Sequence, residues 1–170
     1  LVLLTAPLED VRVGDWSPDG EWVVYSVDEG ADSAIRRRNP TGVDEITLFA
    51  GAGINPRWSR NGQWIAFNRV NEDRSVDLAV MDKDGENESV VATGVNSENA
   101  HDWSPDSKQL VYVSGDGGEA EIFVVGRDGE DSKQLTSNRV GDAAPLWSPD
   151  GTAILFLSEG DGSFDVYRME

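Results

Sequence analysis

Four nearly continuous apolar runs punctuate an otherwise polar chain: EWVVYSV from Glu21, QWIAFNR from Gln63, KQLVYVS from Lys108 and TAILFLS from Thr152. Each is short, rich in β-branched and aromatic residues, and without strict alternation, so the pattern predicts strands buried on both faces. A second apolar pattern follows a polar loop in VDLAVMD from Val76, AEIFVVG from Ala120 and FDVYRME from Phe164. Past the turns DKDG at Asp82 and GRDG at Gly126 comes an outer strand, ESVVA from Glu88 or KQLT from Lys133. The 3.6-residue period of an amphipathic helix is missing, and the chain reads as all-β.

In front of each apolar run stands the same turn: DWSPDG from Asp15, RWSRNG from Arg57, DWSPDS from Asp102 and LWSPDG from Leu146. Proline second in the turn and Asp-Gly or Asn-Gly after it supply the backbone angles of a tight reversal. Trp16, Trp58, Trp103 and Trp147 lie 42, 45 and 44 residues apart, a period typical of propeller-type repeats. The spacing predicts four antiparallel four-stranded units over about residues 12–49, 56–92, 101–136 and 145–170. The last unit lacks its outer strand, and LVLLT at Leu1 stands where KQLT stands in the third. Residues 1–5 are therefore expected to complete the fourth sheet, closing one domain over 1–170.

These W-S-P-D-G turns, with I-Y-V-like third strands and D-x-D-G turns, resemble the PD40 or TolB-type β-propeller repeat, a relative of WD40. The resemblance covers essentially the whole chain and implies a ring of blades with a periplasmic or extracellular location. Departures are SAIRRRNPTG from Ser33 in place of an apolar third strand, Arg60-Asn61 for Pro-Asp, and Ser107 for the turn glycine. The arginine triplet Arg36, Arg37 and Arg38 breaks the pattern and marks either drift or a contact surface. Three arrangements fit: a self-closed four-bladed monomer, two chains in an eight-bladed ring, or part of a longer propeller. The whole-number blade count favours the first, over a homodimer.

Composition narrows the function. Acids outnumber bases 32 to 14, for a net charge of −18, and only Lys83, Lys108 and Lys133 are lysines. This excludes the basic footprint of a nucleic-acid binder. No run approaches the ~20 apolar residues of a membrane span, so membrane insertion is not expected. The chain has no cysteine, which removes disulfides and thiolate metal sites. The start at Leu1 rather than methionine suggests an excised, engineered or processed product.

Candidate chemistry falls on the loops between repeats. His101, the single histidine, stands where repeats two and four have Pro56 and Pro145, and reads as a ligand or general base beside the channel or as a polar substitution at a strand start. Just before the tryptophans stand Asp15, Arg57, Asp102 and Leu146, a set that binds a charged ligand or pairs neighbouring blades. Asn99, Arg139 and Asp142 share the expected loop face. Calcium is the one cofactor worth weighing, at 82–85 and 115–118, where hairpin turns explain the same letters. All six tryptophans are assigned to packing first, Trp22 and Trp64 less firmly. No nucleophile motif accompanies these residues. The expected role is a non-enzymatic protein- or peptide-binding scaffold acting through the loop face at the channel mouth, the alternative an accessory or gating domain of a larger serine peptidase or polysaccharide lyase.

Overall fold

The computed structural model describes residues 10–28, 33–96, 101–160 and 162–170. Among the described residues, fifteen strands form four antiparallel sheets. The first holds β1 (Val11–Trp16), β2 (Val23–Val27), β3 (Ala34–Arg38) and β4 (Glu45–Ala50), in that order. The second holds β5 (Gly53–Trp58), β6 (Trp64–Val70), β7 (Val76–Asp82) and β8 (Ser89–Ala92). In the third, β9 (Asp102–Trp103), β10 (Gln109–Ser114), β11 (Glu121–Gly126) and β12 (Lys133–Gln134) repeat the meander. The fourth has three strands among the described residues, β13 (Asp142–Trp147), β14 (Ile154–Gly160) and β15 (Ser163–Met169). Residues 1–5, expected as its outer strand, lie outside the described residues, and among those described no sheet closes on itself. Among the described residues a 3₁₀ turn, Gly117–Glu119, interrupts the β pattern, and no helix is long and apolar enough to cross a membrane.

The chain divides into two compact units, Leu1–Ser89 and Val90–Glu170. In the first, sheets one and two enclose Val24, Ile35, Leu48, Trp58, Ile65, Phe67 and Met81. In the second, Val111, Val113, Ile122, Ile154 and Phe156 fill the space between sheets three and four, with Trp147 and Met169 packed against them. Each fully buried side chain of this size contributes roughly 1.5–3 kcal/mol, which makes these two layers the main source of cohesion. Trp58 and Trp103 are core residues as expected, whereas Trp16 is more than half exposed.

The repeated turn explains its own letters. The hydroxyl of Ser17, Ser59, Ser104 or Ser148 accepts the N–H five residues on, at 2.9 Å in all four copies. The same hydroxyl donates to the Asp or Asn two residues on: Asp19, Asn61, Asp106 and Asp150, at 2.5–2.8 Å. That side chain in turn accepts the N–H of Glu21, Gln63, Lys108 or Thr152. Serine and Asp/Asn thus satisfy backbone donors that a tight turn leaves open. Asn61 substitutes for aspartate because its Oδ1 accepts the same two hydrogen bonds. Ser107 takes the turn glycine's place at φ 61°.

The Arg36–Arg38 stretch is a strand in spite of its charge, because β3 splits the arginines by the two-residue alternation of a sheet. Arg36 and Arg38 lie on one face with Glu45, Nη1 of Arg36 at 3.7 Å and Nη2 of Arg38 at 2.8 Å from its carboxylate. Tyr25 adds its hydroxyl to the same Glu45 at 2.5 Å. Arg37 points the other way, towards sheet two.

Candidate functional site

Two of the four residues in front of the tryptophans, Asp15 and Asp102, connect sheets within each unit. An irregularity in the innermost strand precedes three of the four, between Val13 and Asp15, Ile54 and Arg57, or Ala143 and Leu146, and such bulges re-aim the side chains that follow. Asp15 Oδ2 accepts the backbone N–H of Trp58 at 3.2 Å. In the second unit Asp102 Oδ2 accepts that of Trp147 at 2.9 Å. Each carboxylate therefore fastens one sheet to the innermost strand of the next. Arg57 and Leu146, at the corresponding positions, are exposed.

On the loop face of the second unit, Asn138 ties the segment between β12 and β13 into a knot. Its N–H donates to Glu121 Oε1 at 2.7 Å and its Nδ2 to Asp142 Oδ2 at 2.9 Å. Asp142 also accepts from Ser158 Oγ at 2.5 Å and is almost wholly buried. His101 is buried as well. Arg139, next to Asn138, is exposed, whereas Asn99 lies outside the described residues. The expected site residues thus separate into buried framework (His101, Asp142), inter-sheet connections (Asp15, Asp102) and exposed cations (Arg57, Arg139).

The calcium candidate at 82–85 is a hairpin turn whose carboxylate is already engaged. Asp82 Oδ1 accepts the N–H groups of Asp84 and Glu86 at 3.0 and 2.9 Å, and Oδ2 accepts Asn87 Nδ2 at 2.9 Å. Its partial burial pushes the pKa up, but these bonds outweigh that and leave it lowered. Among the described residues no group of three or more His, Asp or Glu side chains is arranged to hold a metal ion.

A different concavity stands out in the first unit. Between the turns that begin at Ser17 and Ser59 opens a groove of about 580 Å³, lined by Trp22, Arg37, Trp58, Asn61, Gln63 and Lys83 among others. Arg37 forms one wall: its guanidinium carbon lies 4.5 Å from the centroid of Trp22. Nη2 meets Asp84 Oδ1 at 3.0 Å and Nη1 donates to the Lys83 carbonyl. Stacking and two hydrogen bonds hold this planar cation in place, as a lysine would not be held. Asp19, at the rim, has its pKa lowered by the Ser17 hydroxyl and the Glu21 N–H, so it stays ionised into mildly acidic solution. The lining combines two indoles, amides and both signs of charge.

The equivalent place in the second unit is smaller, about 260 Å³, and lined by Val124, Leu135, Trp147, Ile154 and Met169 among others. By strand register Val124 occupies the place of Arg37, and Gln109 that of Trp22. The groove was not found from sequence because its residues read as turn and strand letters. The signal present was the departure of blade one, where Arg37 stands at the place that Val80 and Val124 take in blades two and three.

Comparison with known proteins agrees with the repeat. The model of the PD40 family, described as the TolB β-propeller domain, matches residues 52–170. An uncharacterized protein of Agrobacterium fabrum is 31% identical over 111 residues, covering 58% of this chain and 38% of that protein. TolB from Acinetobacter baumannii superposes with a TM-score of 0.78 at 20% identity, over 98% of this chain and 42% of its own. A puromycin-hydrolyzing peptidase of Mycobacterium tuberculosis gives a TM-score of 0.72 at 22% identity, over 94% of this chain and 30% of that one. The chain thus spans less than half the length of each of these relatives, and the two structural likenesses speak to fold. With the Trp-Ser turns, the four meander sheets and the family match in agreement, the chain belongs to the PD40 family of TolB β-propeller domains.

Proposed function

We propose that this chain is a non-enzymatic protein- or peptide-binding module that holds an extended peptide segment in the groove between its first two Trp-Ser turns. The observation that carries the reading is the fixed Arg37–Trp22 wall facing exposed Asn61 and Gln63. Aromatic and arginine side chains dominate binding energy where they are pre-organised, and amides satisfy a peptide backbone. The volume falls in the ~300–1,000 Å³ range of ligand pockets. A second reading, binding at the loop face, is favoured by Arg139, which the Asn138 knot presents on a fixed loop. The accessory-domain alternative rests on likeness of fold to peptidase propellers and has no residue of its own here.

The test is selection of binders from a displayed library of random peptides, followed by titration against Gln63→Ala and Lys83→Ala. Both side chains are polar and at the groove, so affinity is expected to fall about tenfold, or ~1.4 kcal/mol, with an unchanged melting temperature. Peptides that bind these variants as well as the parent, but lose affinity for Arg139→Ala, would move the site to the loop face. Turnover of a peptide or glycan by the isolated chain would overturn the non-enzymatic reading.

A further inference from the structure

We propose that Asn61 is a site of spontaneous deamidation, and that one of its two products keeps the turn around it while the other breaks it. Asn61 alone among the asparagines of the chain is followed by glycine. Gly62 has no Cβ, so its backbone nitrogen is unhindered in attacking Cγ of the asparagine. The attack closes a five-membered succinimide, and the Nδ2 group leaves as ammonia. Solvent water then opens the ring at one of two C–N bonds. The net change is amide plus water to carboxylate plus ammonium, with no other reactant. Asn61 is exposed and lines the groove with Arg37 and Lys83, so water reaches it and ammonia departs.

The closed turn holds both reacting groups. The N–H of Gly62 donates to the Ser59 carbonyl at 2.9 Å. Oδ1 of Asn61 accepts from Ser59 Oγ at 2.8 Å and from the Gln63 N–H at 3.0 Å. Attack on Cγ needs these bonds released, so the reaction runs through the opened turn and its rate reports how often the turn opens. Blade two is the copy least held against opening. Arg60 stands where Pro18, Pro105 and Pro149 fix the backbone in the other three turns.

The repeat shows what each product does. Cleavage between Cγ and the Gly62 nitrogen leaves the main chain intact and places an aspartate at 61. Asp19, Asp106 and Asp150 fill that place in the other turns, and each accepts the same serine hydroxyl and the same N–H. The serine hydroxyl first, and the N–H besides, hold all three carboxyls below the usual carboxylate range, so these bonds favour an ionised side chain. Cleavage of the main-chain bond gives isoaspartate instead. The backbone then runs through Cβ and Cγ, one methylene longer, and the spacing that joins Ser59, Gly62 and Gln63 is lost. Either product adds a negative charge beside Arg37 and Lys83, and this chemistry does not depend on what the groove binds.

The test is incubation of the full chain in mildly alkaline buffer at body temperature, with and without urea, followed by mass spectrometry of its peptides. Asn61 is expected to deamidate before any other asparagine, and faster in urea, whereas urea should not change the rate in a synthetic peptide of residues 57–64. Arg60→Pro should slow the reaction of the folded chain about two- to fivefold, the effect of a compatible proline on an opening equilibrium. Ion exchange separates the acidic products. The fraction that elutes with the Asn61→Asp variant should keep the parent's urea midpoint, and the fraction methylated by an isoaspartyl methyltransferase should unfold at lower urea. An Asn61 that stays intact while Asn96, which precedes a serine, reacts would overturn the proposal. So would a lowered midpoint for Asn61→Asp, or an unchanged one for the isoaspartyl fraction. A folded Arg60→Pro chain that reacts as fast as the parent would overturn the opening step, and the comparison with urea decides that step if the variant does not fold.

Discussion

Replacing Asp102 by alanine isolates the connection between sheets three and four. The carboxylate accepts the Trp147 N–H at 2.9 Å from a partly buried position, and a hydrogen bond to a charged group is worth ~1.5–3 kcal/mol. Water reaching the freed amide recovers part of this, so a loss of about 2 kcal/mol is expected for Asp102→Ala. Asp102→Asn keeps an acceptor oxygen and should lose about half as much. With a urea m-value of ~2 kcal/mol/M, the two midpoints fall by about 1 M and 0.5 M. Tryptophan fluorescence reports the transition, and hydrogen exchange at the Trp147 amide reports the bond itself. Leu146→Ala, at an exposed site, serves as the neutral control within ~0.5 kcal/mol. Midpoints for Asp102→Ala that match the parent, with Trp147 protection intact, would refute the structural role and return Asp102 to the list of ligand-binding groups.

Gly14→Ala should be costly for lack of space, because a Cβ there would meet Val24 O at 2.5 Å and Pro56 Cγ at 2.6 Å. A fall of 1–3 kcal/mol is typical of such overpacking, whereas Gly118→Ala, with nothing within 4 Å, should be neutral in the same denaturation assay. Acid titration should single out Asp150, whose pKa the Ser148 hydroxyl and then the Thr152 N–H and hydroxyl lower to about 2. Because its folded pKa lies below the unfolded value of ~3.9, its contribution is full above that value and is lost as pH falls towards 2. Asp150→Asn should therefore flatten the urea midpoint's dependence on pH within this window, and curves that stay parallel to the parent would contradict the assignment.

The turns were legible because their chemistry is local. The Ser hydroxyl, the Asp oxygen and the amides they serve all lie within six consecutive residues, so the letters and the bonds coincide. The role of Asp15 and Asp102 was visible only as a choice between ligand binding and blade pairing. Each one's partner is a main-chain N–H in the next repeat, 43 or 45 residues on, and a backbone amide leaves no mark in a sequence. The arginine triplet misled for a related reason. Read as a run it looks unlike a strand, yet two-residue alternation sends Arg37 to the groove and Arg36 and Arg38 to Glu45. His101, which reads either as a ligand or general base or as a polar substitution at a strand start, is buried just before β9. The groove needed two turns to be brought side by side, which no single repeat encodes.

The Asp-Arg-Asp-Leu series ahead of the four tryptophans has a period of two blades, and so does the organisation of the chain. Asp15 fastens sheet one to sheet two and Asp102 fastens sheet three to sheet four, each inside one compact unit. The division between units falls at Ser89/Val90, within β8, the outer strand of the blade whose corresponding residue is Arg57. An arginine cannot accept an amide hydrogen bond, and neither can a leucine.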